Sequence, residues 1–304
     1  MGTNVAALDC GTNSTRLLIT DPSGVTLERV MTITRLGQGV DESGELSEEA
    51  IARVFAALER YRTIMDTFDV SRARMACTSA VRDARNGAAF LERASDLLRC
   101  EVSVLTGDEE AALSFAGAVA DAPPAQIPRL VVDIGGGSTE LVLEVGGHLE
   151  SVSLQLGCVR LTERCLHSNP TTDVELIAAK AAIAEQFERI ERSIPSLSLQ
   201  PQVQIIGLAG TVASLVLLEH ELETYVRDQV HHQILDREVV QRWITTLSNE
   251  TNAERRGHRG MEPGRADVLL GGLLVLDAIM ERVGAKDLLT SESDILDGLA
   301  ASLR

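Results

Sequence analysis

Val5-Ala-Ala-Leu-Asp-Cys-Gly-Thr-Asn-Ser-Thr-Arg-Leu-Leu-Ile19 and Arg129-Leu-Val-Val-Asp-Ile-Gly-Gly-Gly-Ser-Thr-Glu-Leu-Val-Leu143 are two copies of one pattern. Aligning Asp9 with Asp133 also aligns Gly11 with Gly135, Ser14 with Ser138, Thr15 with Thr139 and Leu17 with Leu141. Each copy opens with a continuously apolar run, as expected of a strand buried on both faces, and closes it with an acid, a glycine and small hydroxyl residues. Each continues through a turn (Asp21-Pro-Ser-Gly24; Gly146-Gly147-His148) into a third apolar strand, which ends at Leu36-Gly37 or Leu156-Gly157. The pattern predicts similar β-meanders in two homologous domains. Its glycines and serines let the backbone turn tightly and present successive N–H groups to an anion. Two such loops facing one another would clamp a chain of phosphates in a central cleft. Asp9 and Asp133, at the strand ends, would share Mg²⁺ with the phosphate oxygens.

The remaining segments read as alternating helices and strands. Ile51, Val54, Phe55, Leu58, Tyr61 and Ile64 form a helical stripe within residues 47–68, with Ser47 as its cap. A strand at 72–78, a helix at 87–99, a strand at 100–105 and a helix at 108–117 follow. Beyond the second copy come a long helix at 173–194 capped by Thr172 or Asp173, a strand at 203–208, and helices at 212–219, 237–247 and 266–283. The proline-rich residues 122–128 are the expected connector, dividing the chain into domains 1–126 and 127–290, with 291–304 packing back on the first.

Composition narrows the partners. The 28 Lys+Arg against 45 Asp+Glu give a formal charge of −17, opposite in sign to a duplex nucleic-acid binder. Five cysteines (Cys10, Cys77, Cys100, Cys158 and Cys165) form no C-x-x-C pair and read as buried thiols in a reducing compartment. No basic-then-apolar leader opens the chain, and Ala6 stands where an acylation signal beginning at Gly2 needs Ser or Thr. The longest apolar run, 268–280, contains Asp277 and is too short to span a bilayer. These features predict a cytoplasmic protein with no membrane or nucleic-acid partner.

Seven stretches in order resemble the exopolyphosphatase/guanosine pentaphosphate phosphohydrolase (Ppx/GppA) family. They are Leu8-Asp-Cys-Gly-Thr-Asn-Ser14, Thr34-Arg-Leu-Gly-Gln-Gly39, Ala76-Cys-Thr-Ser-Ala-Val-Arg-Asp-Ala-Arg-Asn86 and Leu105-Thr-Gly-Asp-Glu-Glu-Ala111, then Val132-Asp-Ile-Gly-Gly-Gly-Ser-Thr-Glu-Leu141, Gly207-Leu-Ala-Gly-Thr211 and Arg265-Ala-Asp-Val268. The resemblance runs from Leu8 to about Gly298. It implies an α/β fold of two actin-like (ASKHA, ribonuclease H-like) domains with a phosphate-binding cleft between them. By that resemblance Glu110 is the general base, Asp133 and Glu140 are metal- or water-orienting acids, and Arg82 contacts phosphate. Glu140 rivals Glu110 for the base, because it lies just beyond the glycine loop, while its counterpart in the first copy is Arg16. Asn13, Ser14, Gly135, Gly136, Gly137, Ser138, Gly210 and Thr211 would supply backbone and hydroxyl donors. Lys180 is a further basic candidate, better explained as a solvated helix face. His231-His232 matches the family's Val-His-Gly segment and has no acid or cysteine at ligand spacing nearby. Leu296 stands where the family often has an arginine, and the chain lacks the His-Asp dipeptides of the longer members' extra domain.

The expected activity is therefore release of terminal orthophosphate from inorganic polyphosphate, short chains preferred, by metal-assisted attack of water. Mg²⁺ is the expected ion, Mn²⁺ the alternative, and a homodimer the expected assembly. Hydrolysis of guanosine pentaphosphate or nucleoside triphosphates is the nearest alternative. An ATP-dependent kinase-like machine and a non-catalytic polyphosphate or alarmone sensor are the readings from other classes.

Overall fold

β1 (Val5–Cys10), β2 (Ser14–Thr20) and β3 (Thr26–Ile33) form an antiparallel meander. α1 (Val40–Ser43) and α2 (Glu48–Thr67) lead to β4 (Arg72–Cys77), which lies parallel to β1. α3 (Ser79–Asp83) and α4 (Gly87–Leu98) lead to β5 (Glu101–Val104), parallel to β4, and α5 (Gly107–Ala120) follows. The sheet order is β3-β2-β1-β4-β5, with β1 in the middle and buried along its whole length. The Ser47 hydroxyl caps α2 by accepting the Ala50 N–H, and the helix buries Ile51, Val54, Leu58, Tyr61 and Met65. Each large apolar side chain so buried contributes roughly 1.5–3 kcal/mol, so the stripe outweighs the modest helix propensity of its β-branched members.

The second meander repeats the first. β6 (Arg129–Ile134), β7 (Thr139–Val145) and β8 (His148–Leu154) pair antiparallel. α6 (Cys158–Cys165) and α7 (Asp173–Ser193) precede β9 (Gln204–Leu208), which is parallel to β6. After α8 (Ala209–Glu219) and α9 (Arg227–Val230) come β10 (Ile234–Asp236), α10 (Arg237–Ser248), α11 (Asn252–Arg255), α12 (Leu269–Arg282) and β11 (Asp287–Thr290). The order β10-β11-β9-β6-β7-β8 is that of the first sheet, with β10 added antiparallel at its edge. This arrangement is the ribonuclease H-like sheet of actin-type domains, built twice in an α/β chain.

The computed structural model describes residues 3–304, so the Met1-Gly2 start lies outside the described residues. The chain divides into unit 1, which runs to Gly117 and resumes at Asp294, and unit 2, Ala118–Ser293. The division falls inside α5, ahead of the proline stretch, because the helix continues to Ala120. The last helix, α13 (Ile295–Ser302), belongs to unit 1, where Ile295, Leu296 and Leu299 pack with Ala7, Leu18 and Leu105. Leu296 is fully buried there, so the place where the resemblance calls for an arginine is filled by core packing.

Small residues let α13 seat deeply. A Cβ on Gly298 would stand 2.1 Å from the Leu113 carbonyl oxygen, and one on Gly117 would stand 1.9 Å from that of Asp294. Gly117→Ala gains at most about 1 kcal/mol of helix propensity but forces a backbone to move, at a cost of roughly 1–3 kcal/mol. We therefore expect Gly117→Ala to lower the urea midpoint of unit 1. An unchanged or raised midpoint contradicts the packing described.

Candidate active site

In unit 1 the sheet delivers its polar residues to the β1–β2 turn. The Gly11 N–H donates to the Ser14 carbonyl at 3.0 Å and closes that turn. The Thr12 carbonyl accepts the Gly37 N–H, and the Asn13 carbonyl accepts those of Thr34 and Arg35, at 2.9–3.0 Å. A trans peptide points its N–H opposite to its carbonyl. With the 12 and 13 carbonyls turned to the 34–37 segment, the N–H groups of Asn13 and Ser14 are directed to the other side. Asn13 Nδ2 adds a buried donor with no acceptor among the described residues.

Asp9, at the end of β1, is 4% exposed and faces Arg16 across the hairpin. Its Oδ2 accepts both Arg16 Nε at 2.9 Å and Nη2 at 2.7 Å, while Oδ1 is buried with no donor among the described residues. Burial pushes the Asp9 carboxyl above the usual carboxylate range; the Arg16 guanidinium opposes the shift without cancelling it. An orphaned, buried carboxylate oxygen fits a hard divalent cation.

Arg82 and Glu110 meet on the other side of the same sheet edge. Arg82 lies on α3, directly after β4, and Glu110 in the first turn of α5, directly after β5. Arg82 Nη1 donates to the Leu105 carbonyl at 2.9 Å and to Glu110 Oε2 at 3.2 Å. Its Nη2 is buried without an acceptor among the described residues. A guanidinium with one edge pinned and one donor unspent is suited to an anionic oxygen.

Unit 2 builds the turn again, with Gly135 N–H donating to the Ser138 carbonyl at 3.0 Å. The Gly135 carbonyl accepts the Cys158 N–H, and that of Gly136 accepts Val159 and Arg160, at 2.9–3.0 Å. Arg160 Nε then binds the Gly137 carbonyl at 2.7 Å. Three successive carbonyls thus face α6, which directs the N–H groups of Gly136, Gly137 and Ser138 the opposite way, as a nest for an anion. Gly157 permits this, because a Cβ there would stand 2.4 Å from the Gly136 oxygen. Asp133 and Glu140 are direct cross-strand partners, so their carboxylates leave the same face of the sheet. Both are buried, and Glu140 Oε1 accepts the Ser153 hydroxyl at 2.7 Å.

Gly210 and Thr211 lie within the first turn of α8, not in a loop before a helix starting at 212. Ala209 takes a left-handed φ of 66° and turns β9 straight into the helix. The Arg265 guanidinium lies against Gly210, where a Cβ would be 2.0 Å from Nη1, and Glu262 holds its Nε at 3.0 Å. The Thr211 hydroxyl is buried beside Gly272, where a Cβ would stand 2.4 Å from its oxygen. Lys180 is exposed on α7. Sequence reasoning assigned no role to Arg160 or Arg265; the available signal was that Arg160 closes the glycine-led stretch Gly157-Cys-Val-Arg160 and Arg265 opens the matched stretch Arg265-Ala-Asp.

His231 and His232 do have an acid partner, distant in sequence. Asp121 Oδ2 lies 3.2 Å from His231 Nε2, and Oδ1 lies 3.8 Å from His232 Nε2, with the two rings stacked at 3.5 Å. The trio has the composition of a metal site. However, His231 Nδ1 accepts the Glu292 N–H at 3.0 Å, so the neutral ring carries its proton on Nε2, toward Asp121. Arg227, 3.6 Å from Asp121, adds positive charge where a cation would sit. His231 and Asp121 thus form a tie in unit 2, while His232 Nε2 is buried with no hydrogen-bond partner among the described residues.

Residues 20–303 match the sequence profile of the Ppx/GppA phosphatase family. The chain is 41% identical to exopolyphosphatase 2 of Mycobacterium tuberculosis, with 99% of this chain and 98% of that protein covered. It is 31% identical to a guanosine-5'-triphosphate,3'-diphosphate pyrophosphatase of Vibrio atlanticus, with 97% of this chain but 58% of that protein covered. A crystal structure of an exopolyphosphatase from Cytophaga hutchinsonii superposes with a TM-score of 0.89 at 26% identity, covering 99% of both chains. The Aquifex aeolicus PPX-GPPA enzyme gives 0.80 at 30% identity, again covering 99% of both.

Burial, followed by the Arg227 charge, lowers the His231 pKa from 6.5 to about 4. The unfolded chain therefore binds this proton more readily than the folded one between those values. The contribution to stability is complete above pH 6.5 and is lost as pH falls toward 4. His231→Asn keeps an acceptor for the Glu292 N–H and removes the titration. Between pH 7 and pH 5 its urea midpoint should fall less than that of the wild type; equal falls would contradict the assignment.

Proposed function

The chain belongs to the Ppx/GppA phosphatase family, and on that premise we propose that it is an exopolyphosphatase, releasing terminal orthophosphate from inorganic polyphosphate with a preference for short chains. The observation that carries the proposal is the Arg82–Glu110 pair: one guanidinium donor grips the carboxylate while the neighbouring donor waits, buried, for an acceptor. A terminal phosphoryl group bound at Arg82 Nη2 brings its phosphorus beside the Glu110 carboxylate. Glu110 then orients a water for in-line attack and takes its proton, and the shortened polyphosphate departs as the leaving group. Glu140 is the alternative base, with Ser153 fixing its carboxylate. The N–H groups of Asn13 and Ser14, and those of Gly136, Gly137 and Ser138, are the proposed holders of non-bridging phosphate oxygens.

Asp9, Asp133 and Glu140 are the residues that would hold Mg²⁺, or Mn²⁺ in its place. When bound, the ion supplies positive charge against the phosphate oxygens. In a chain of net charge −17, such local positive charge is what makes a polyanionic substrate acceptable. A cytoplasmic homodimer completes the proposal, supported for the compartment by five free cysteines. No helix among the described residues is long and apolar enough to cross a membrane.

Hydrolysis of guanosine pentaphosphate is the second reading, favoured by the likeness to the Vibrio atlanticus protein. Orthophosphate release with Mg²⁺ from short and long polyphosphate, guanosine pentaphosphate and ATP separates the two. We expect short polyphosphate to give the highest kcat/KM. Turnover of guanosine pentaphosphate alone would transfer the assignment to the second reading. A rate per chain end that climbs steadily with length would remove the short-chain preference.

A further inference from the structure

We propose that Arg16 is a positioning residue that aims Asp9 at a divalent cation and ties that aim to the C-terminal helix. The inference deepens the exopolyphosphatase reading and rests on its assignment of Asp9 as a metal ligand.

The geometry is confined to unit 1. Arg16 places Nε and Nη2 on a single oxygen of Asp9, Oδ2, at 2.9 and 2.7 Å. The carboxylate is thereby fixed in rotation and Oδ1 is left buried with no donor among the described residues. The third contact of the same guanidinium, through Nη1, is to Asp294 Oδ2. Asp294 is buried and caps α13, its Oδ1 accepting the Leu296 N–H at 3.0 Å. Asp297 completes the capping box by accepting the Asp294 N–H at 2.9 Å, and Arg29 binds Asp297 and approaches Asp294 at 3.8 Å. From below, the Asp294 backbone rests on Gly117, where no Cβ fits.

Charge counting points to the same oxygen. The cluster contains three carboxylates (Asp9, Asp294 and Asp297) and two guanidiniums (Arg16 and Arg29). With all three acids ionised one negative charge is left over, and Asp9 Oδ1 is the buried oxygen of the cluster without a donor among the described residues. A cation there completes both the charge and the coordination. In the homologous hairpin Glu140 faces Asp133 where Arg16 faces Asp9. Arg16 acts through Asp9, in the way outer-sphere partners orient metal ligands.

Charge and geometry make opposite predictions for the loss of Arg16, which gives a clean test. Removing a neighbouring positive charge strengthens the pull of Asp9 on a cation; releasing the clamp weakens the site. Mn²⁺ binding to the full-length protein without substrate, followed by electron paramagnetic resonance, reads stoichiometry and Kd. Circular dichroism and thermal melts confirm folding of each variant. We expect Asp9→Asn to lose one bound Mn²⁺, and Arg16→Gln to weaken that site by roughly tenfold. Arg16→Lys keeps the charge but cannot fork onto Oδ2 while reaching Asp294. It should also weaken the site, and it carries the test if Arg16→Gln does not fold. Unchanged or tighter Mn²⁺ binding in folded Arg16 variants, with Asp9→Asn still losing an ion, overturns the positioning role alone. Full Mn²⁺ stoichiometry in Asp9→Asn overturns the metal assignment beneath it, and the proposal with it.

Discussion

A carboxylate withdrawn from water must be given donors or a cation, because the desolvation penalty is several kcal/mol per ion. Asp9, Glu110, Asp133 and Glu140 are all buried, and much of the surrounding structure answers that demand. Arg16 grips Asp9, Arg82 grips Glu110, and Ser153 grips Glu140. The first two grips are incomplete, since Asp9 Oδ1 and Arg82 Nη2 remain buried without protein partners among the described residues. Those two vacancies are of opposite sign. One suits a cation and the other a phosphate oxygen, the two components that a metal-assisted phosphatase must assemble.

The repeated meander explains how a chain obtains two phosphate loops from one backbone solution. The turn at Gly11–Ser14 and that at Gly135–Ser138 share the same closing hydrogen bond at 3.0 Å. In both, the segment after the third strand receives the loop carbonyls (residues 34–37 in unit 1, the start of α6 in unit 2), so the N–H edges are presented on the opposite side. What diverges is the side chain opposite the aspartate. Arg16 makes the first hairpin an ion pair coupled to α13; Glu140 makes the second a doubly acidic face. Closely similar turns thus carry an ion-paired carboxylate in one unit and two facing carboxylates in the other.

The sheet was legible in the sequence because its information is local. A buried strand, a glycine turn and a second strand are contiguous, and the aligned aspartates identify the repeat. Ser47 was legible as a cap, and Thr172 as one of two candidates beside Asp173, for the same reason. α6, β10 and β11 were not, being short elements whose residues show no clear period before their neighbours are known. The early start of α8 depends on a left-handed Ala209, a conformation that alanine does not advertise. Long-range partnerships were likewise hidden. Asp121 reaches His231 across 110 positions, and Arg16 reaches Asp294 across 278. Local spacing carries no trace of either, although Arg16 was visible as the point where the repeat breaks.

Glu110 is the residue on which the proposed chemistry turns, and Glu110→Gln is the most direct probe of it. The amide keeps the size of the side chain and can still meet Arg82 through its oxygen, but it cannot accept a proton from water. Single-turnover release of orthophosphate from short polyphosphate should fall by roughly 100- to 10,000-fold, with substrate affinity retained. A rate within a few-fold of the wild type would contradict the account and leave Glu140 as the base.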